Sequence, residues 1–562
     1  MKTTFQYDHY YKYDEVKSNL EYFANEYPDL VKLEVNLVTE EGRNQYAVTL
    51  TNTKNGSADS KPALYIDGNI HAGEVTSTMC AMHTIDYLVT NYGTDDEVTK
   101  LLDEKTFYVI PRVTPDGAEK YLSTPYSLRS APRPYLEEKG GIQKEDLDGD
   151  GVIRMMRIKT PYGAWKIDPA TECSMTLREP SDVDGDFYDI YPEGVFEACD
   201  GDENLKTKKD VWGLDFNRNF PLGWFPDSRQ PGAGKYPLSN PENKALVDFA
   251  LAHNNIGGAA IGHTSGGMLL YPPGTRAEKS APELDMTCMK AIAKMGEEEL
   301  GYVAMNIFDS FMSDQEHYDS GAFDDWFYQS QGVPAYTMEF WDVASKAGVP
   351  HIWNGKPEDP AIMFKRFNAT LAWVKEHAPQ YYSPWKVFNH PTFGNVEIGG
   401  FDVKFTVQNP PENMLCEECE HDTKFNIRFA ESLPALKIEE VTSEKVSDGV
   451  YKVSAVVGNR GYLPTNLTEE ANQLHVSKPV TVCVEGCEAV SGKNEESIGN
   501  LDGFSATSTG AFYGDITTYA NAKAKKKVSW IVKAEEGSTV TVTCKQEKAG
   551  TDTKTITLLA SG

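Results

Sequence analysis

Long apolar runs are what this sequence most plainly lacks: nowhere does it approach the ~18 continuous apolar positions of a membrane span. The opening Met1 to Tyr7 is polar and aromatic, with neither an apolar core nor a small-residue cleavage pattern. No export signal is read there, so the chain as written is expected in the cytoplasm, or outside the cell if a leader has been removed. Cysteine is sparse, 9 residues scattered along the chain, which excludes a dense disulfide scaffold. Cys416 and Cys419 have CxxC spacing without a second pair nearby, and Cys483 and Cys487 are spaced differently, so free thiols are expected rather than a zinc knuckle. Positive charge is also in deficit: 54 basic against 84 acidic side chains leave a formal charge of −30. Such a surface repels nucleic acid and anionic membrane, so neither is expected as a partner, and it mildly favours cationic substrates.

What is present suits a folded protein of more than one domain, with 40% hydrophobic and 11% aromatic residues over 562 positions. Ala63 to Ile66, Phe107 to Val113, Ile256 to Ile261 and Ala335 to Phe340 read as buried strands. Between them, Val75 to Val89 and Pro360 to Glu376 carry apolar residues at helical spacing. Alternation of this kind predicts an α/β fold, a sheet flanked by helices on both faces. After about residue 380 the pattern becomes short and two-residue periodic, as in Val450 to Ser454, Val528 to Val532 and Ser538 to Cys544. That predicts a C-terminal antiparallel β-sandwich of immunoglobulin-like type over 431–562, of unknown role, joined through a segment at 381–430.

Two loops are rich in aspartate. Asp146, Asp148 and Asp150 followed by Gly151 open like a calcium loop, with oxygen donors at alternate positions, but the twelfth position is Arg157 instead of a glutamate. Calcium and a plain aspartate-rich turn both remain open there.

His71-Ala-Gly-Glu74 follows a strand and opens a helix, so its imidazole and carboxylate can converge on one ion. Zinc accepts both donor types and, in a catalytic site, takes three protein ligands and leaves a position for water. An HxxE by itself is a weak signal, expected about once by chance in a chain with 11 histidines. His263 strengthens it: it ends the apolar run from Ile256 to Gly262, whose carboxyl end should lie on the same rim of the sheet.

The order of five segments is more specific. HxxE at 71–74, Gly213-Leu-Asp215-Phe-Asn217-Arg218-Asn219-Phe220, Gly262-His263-Thr-Ser265, Asp325-Trp326 and Thr337-Met-Glu339-Phe340 together resemble the carboxypeptidase A-like zinc metallocarboxypeptidases. The extra β-domain resembles bacterial-type members. The resemblance covers most of residues 5 to 380, implies a mixed sheet of the eight-stranded type in a catalytic domain over 1–380, and sets off an insertion at about 119–209. It also implies that the chain opens at the catalytic domain with no activation propeptide before it. One catalytic Zn2+ is implied at His71, Glu74 and His263, with Asp215 orienting the first histidine. Glu339 matches the general base, which accepts a proton from the attacking water and returns it to the leaving amine. Asn217 and Arg218 match the pair that holds the substrate's terminal carboxylate, which would make the enzyme an exopeptidase acting on the C-termini of peptides or proteins. Arg157 matches the arginine that stabilises the oxyanion, and Arg154 a neighbour that assists carboxylate binding.

Departures from the family pattern bear on substrate choice. Gly73 stands where pancreatic members carry an arginine, which removes one carboxylate contact. Tyr318 is the nearest candidate for the mobile tyrosine that closes over substrate, although an ungapped count lands on His317. Asp324 falls at the specificity position and resembles the type that prefers C-terminal Lys or Arg, since a buried carboxylate calls for a cationic partner. Three alternatives stand beside this function: hydrolysis of γ-D-glutamyl cell-wall peptides, deacylation of amino acids, and a non-catalytic binding role. Oligomeric state is not legible.

Overall fold

The four segments that the sequence marks as strands become members of one mixed sheet. The computed structural model describes residues 1–135, 138–169, 171, 173–198, 205–312 and 314–558. Its main sheet has eight strands: β1 (Val31–Val38), β2 (Asn44–Leu50), β3 (Ala63–Gly68), β4 (Thr106–Ile110), β5 (Ile256–Thr264), β6 (Met268–Tyr271), β7 (Val303–Asn306) and β8 (Ala335–Phe340). They lie in the order β1-β2-β4-β3-β5-β8-β6-β7. The four central strands β4, β3, β5 and β8 run parallel, and antiparallel β2 and β6 adjoin them on either side. Both β3 and β5 are buried along their whole length, as parallel strands covered on both faces should be. Their register brings Gly262 beside Gly68 and His263 beside Glu339, so three strand ends open on one rim.

Close packing explains the glycine at the end of β3. A Cβ on Gly68 would come within 2.6 Å of the Ser77 carbonyl oxygen in helix α1 (Val75–Asn91). This helix is buried nearly all round, including Thr76, Ser77, His83, Thr84 and Asp86. The structure corrects the expected connecting segment here. Residues 412–432 form a 21-residue helix that packs across α1 and against the Glu283–Leu300 helix as part of the main core. His83 Nδ1 meets Thr423 Oγ1 at 2.7 Å, and Asn409 Oδ1 accepts from the Thr76 hydroxyl at 2.9 Å, which satisfies the buried polar face of α1. Burial of Leu415, Phe425 and Phe429 contributes about 2 kcal/mol each, which ties this helix to the unit built on the main sheet.

The expected insertion is likewise part of a larger unit. Strands at Met155–Lys159, Trp165–Ile167, Met175–Leu177 and Tyr188–Pro192 join the hairpin Tyr382–His390 and Gly394–Phe401 in a six-stranded antiparallel sheet. From Leu436 onward two four-stranded antiparallel sheets face each other across a separate core of Val453, Val482, Trp530, Val532 and Val542, which is the sandwich expected from the alternating pattern. All eight described cysteines are free thiols. Among the described residues no helix is long and apolar enough to cross a membrane.

Candidate metal centre and substrate cleft

Beyond β3 the chain turns through Asn69, whose φ of 63° lies in the left-handed region that asparagine tolerates. Its side-chain amide donates to the His71 and Ala72 carbonyls at 2.7 and 3.2 Å, while its backbone N–H donates to Ser77 Oγ. Ser77 in turn donates to the Glu74 carbonyl at 2.6 Å, so the HxxE turn is cinched to the first turn of α1. The slot that a side chain at Gly73 would enter is filled by Gln408 and Tyr121, each 2.7 Å from a Cβ built there.

His71, Glu74 and His263 are buried together, with ligand atoms all within 4.8 Å of one another. His71 Nδ1 lies 2.8 Å from Glu74 Oε1, and His263 Nδ1 lies 2.9 Å from Glu74 Oε2. His71 Nε2 meets Asp215 Oδ1 at 3.0 Å, and Asp215 also accepts from Arg129 Nε at 2.8 Å and from the Asn217 N–H at 2.9 Å. A carboxylate at Nε2 holds the proton on that nitrogen and turns the Nδ1 lone pair toward Glu74. Two acceptors facing each other at that distance require a positive charge between them. His263 Nε2 is moreover buried without a hydrogen-bond partner. Burial alone would raise the Glu74 pKa, but the two imidazoles outweigh it and hold this carboxyl well below the usual range. Burial opposes charge on His263, yet Glu74 raises its pKa to about 9. Two imidazole nitrogens and a carboxylate calling for a cation are a donor set that fits zinc.

Glu339 faces this group from the neighbouring position on β8. Burial pushes its carboxyl up to about 7, His263 opposing that shift and Glu74 adding to it. A cavity of about 210 Å³ is lined by these residues together with Arg129, Asn217, Arg218, Asp319 and Asp324. Asn217 Oδ1 accepts from the Phe323 N–H at 3.0 Å, which fixes the amide's orientation. Arg218 donates to the Asn217 carbonyl at 2.9 Å and pairs with Asp319 at 2.7 Å. Asp324 is buried and accepts from Thr337 Oγ1 and the Asp325 N–H, each at 2.8 Å.

Three expected residues lie elsewhere. Arg157 sits in the second sheet, where its Nε donates to Glu397 at 2.8 Å and its guanidinium lies between the Tyr188 and Trp385 rings, 4.9 and 4.5 Å from their centroids. Arg154 pairs with Asp150 and lines a different cavity, so neither arginine reaches the oxyanion or carboxylate positions. Arg129 lines the cleft with Arg218, brought there by the hydrogen bond from the Ala72 N–H to its carbonyl at 2.8 Å. It belongs to no motif and falls inside the stretch read as an insertion, 84 residues before Gly213, so nothing in the sequence tied it to the GxDxNRN segment. Tyr318 packs against Phe225 and Phe308 instead of lining the cavity, and His317 pairs with Asp314 at the surface.

The aspartate-rich loop is held by its own hydrogen bonds. Asp146 accepts from the Gly149 and Gly151 N–H groups, Asp148 from that of Asp150, and Asp150 from that of Val152 while pairing with Arg154. Glu193 comes near Asp146 and Asp148, but its carboxylate already accepts from the N–H groups of Leu147, Asp148 and Arg154. These are the contacts of an aspartate turn, and the expectation of calcium finds no support in them.

Comparison with known proteins gives the family. A family model described as zinc carboxypeptidase matches residues 16–152 and 182–353, and one described as a domain of unknown function matches residues 435–557. Human carboxypeptidase D is 31% identical over 112 residues, covering 20% of this chain and 8% of its own length. Carboxypeptidase B of Astacus astacus is 35% identical over 108 residues, 19% of this chain and 33% of its own. An inactive metallocarboxypeptidase of Saccharomyces cerevisiae is 33% identical over 196 residues, 33% of this chain and 44% of its own. The chain thus spans less than half the length of each of these curated relatives. Among solved structures, thrombin activatable fibrinolysis inhibitor aligns over 75% of this chain and 74% of its own, with a TM-score of 0.43 and 17% identity.

Proposed function

The chain belongs to the zinc carboxypeptidase family, and from that premise we propose that it hydrolyses the C-terminal peptide bond of peptides or proteins. The observation that carries the proposal is the convergence, around one cavity, of His71, Glu74, His263 and Glu339 with Asn217, Arg218 and Arg129. His71, Glu74 and His263 would hold a zinc ion, which when bound would supply a Lewis acid able to acidify a water and polarise the scissile carbonyl. Asp215 keeps the His71 tautomer that leaves Nδ1 free to bind. Arg218 and Asn217 take the substrate's terminal carboxylate, the guanidinium offering two parallel donors, and thereby restrict the enzyme to free C-termini. Glu339, with a pKa near 7, accepts the proton of the attacking water and hands it to the departing amine. Arg129 places a fixed positive charge beside the carbonyl oxygen as it gains negative charge. Asp324, among the residues lining the same cavity, supports a preference for a cationic side chain, Lys or Arg, at the cleaved position.

Zinc analysis with hydrolysis of free-acid and C-terminally amidated peptides tests this proposal, with Glu339→Gln as control. The protein is expected to hold one zinc and cleave free-acid peptides ending in Lys or Arg, and E339Q to keep the metal and lose activity. Absence of zinc, equal cleavage by E339Q, or equal turnover of amidated peptides each refutes it.

A further inference from the structure

A second cavity of about 520 Å³ adjoins the catalytic one. Ser265, two residues past the ligand His263, lines both, and Trp341, two residues past Glu339, lines the second. Phe311 lines the catalytic cavity and packs on Trp353 of the second at 5.5 Å between ring centroids, so the two spaces share a wall. The larger space is walled chiefly by Met155, Trp165, Met175, Trp341, Trp353 and Phe364. Trp165 and Phe364 meet edge to face at 4.9 Å.

The charged groups on this lining are already engaged. Arg366 donates to both carboxylate oxygens of Glu358, His351 lies 3.8 Å from the same carboxylate, and Asp342 caps the Val343–Lys346 helix by accepting from the Ser345 N–H. The cavity therefore offers apolar surface without a charge seeking a partner, and an apolar group entering it loses no hydrogen bond.

Its walls come from both sides of the family match. Met155, Trp165 and Met175 come from 153–181, the stretch between the two matched by the family, and Phe364 follows the end of the match at 353. The second sheet and the Pro360–His377 helix thus wall a compartment beside the cavity of the metal-ligand residues.

We propose that this cavity binds a large apolar group on the acyl side of the scissile bond, in a peptide the side chain of the residue preceding the one released. The proposal rests on the hydrolytic function above, because direction comes from that site. With the terminal carboxylate at Arg218 and the released side chain toward Asp324, neither of which lines the second cavity, the acyl side of the substrate leaves past Ser265. An aromatic side chain fits the flat Trp and Phe walls, and a medium-chain acyl group of an N-acyl amino acid has the same apolar chemistry.

The test is a series of free-acid peptides N-acetyl-X-Lys with X as Gly, Ala, Leu, Phe or Trp, and N-octanoyl-Lys as the acyl-chain arm. kcat/KM is expected to rise by about tenfold or more from Gly to Phe, the range that filling an apolar pocket produces. Phe364→Ala and Trp353→Ala should abolish that rise while the Gly peptide is cleaved as before and zinc content holds. Preference for N-octanoyl-Lys over the Phe peptide, lost in the same variants, supports the pocket and identifies an acyl chain as its occupant. A flat series with the Gly peptide well cleaved overturns the proposal and leaves the hydrolytic function standing. Calorimetry needs no turnover: N-acetylphenylalanine should bind about tenfold more tightly than N-acetylglycine, and equally to F364A. Equal binding of both ligands to the unmutated protein overturns the pocket even if no peptide is cleaved.

Discussion

On the proposed function, Arg218 would meet a substrate carboxylate already paired. Its Nη2 lies 2.7 Å from Asp319 Oδ2, with 19% of the arginine side chain and 45% of the aspartate side chain exposed. An incoming carboxylate therefore displaces Asp319 or shares the guanidinium with it, and the ion pair it breaks sets the size of the effect. A half-exposed pair of this kind is worth about 0.2–1 kcal/mol. Asp319→Asn removes the competing charge and keeps the shape, so it should lower KM for free-acid peptides by at most about fivefold, the factor that 1 kcal/mol represents. kcat should not move, since Asp319 makes no contact with Glu339 or the metal ligands and the contest takes place in the ground state. The assay is kcat and KM for one free-acid peptide at low and at high salt, because screening weakens an exposed pair and should shrink the difference. A raised KM, or a lowered kcat with KM unchanged, refutes the reasoning and makes Asp319 a group that holds Arg218 in its working position.

The two arginine assignments separate in a single experiment. Arg129→Ala should cut kcat by about 10²- to 10³-fold, the cost of one donor to the developing oxyanion, whereas Arg157→Ala should leave kcat within about twofold and lower the melting temperature. The reverse pattern would return the oxyanion role to Arg157. A stability prediction comes from Asp422, buried on the Glu412–Ser432 helix, whose carboxyl burial pushes up to about 7 while the bond from Asn426 opposes the shift. Its folded pKa exceeds its unfolded value, so the native state binds the extra proton between about pH 4 and 7, and stability is lost as pH rises through that window. Asp422→Asn should therefore gain about 2–3 kcal/mol relative to the unmutated protein between pH 5 and 8, read from denaturant melts at both values. The pH-independent cost of the amide cancels in that comparison, and a difference that stays flat with pH refutes the titration.

The sequence was legible where one element delivers one residue and opaque where distant segments share a job. Ile256 to Gly262 is apolar without a break, so its strand and the histidine ending it could be read directly, and parallel register then carried His263 to Glu339. Arg157 shows the opposite case. It was assigned by a short match around Arg154 and Arg157, and the match fails because 153–181 carries strands of a second sheet whose partners, Tyr382 to Phe401, lie more than two hundred residues away. Nothing periodic in either stretch announces the other. The helix at 412–432 is not legible for a related reason: its partner α1 reads as apolar residues at helical spacing, and nothing in the sequence says that Thr76, His83 and Thr84 are buried as well. Their burial requires a polar surface opposite, which Asn409, Thr423 and Asn426 supply. Polar residues on a helix thus have two meanings, water or a matching polar neighbour, and only the long-range pairing decides between them. The same ambiguity governs the second cavity, whose Met and Trp residues look in sequence like scattered core and become a compartment only when the added sheet closes against the catalytic rim.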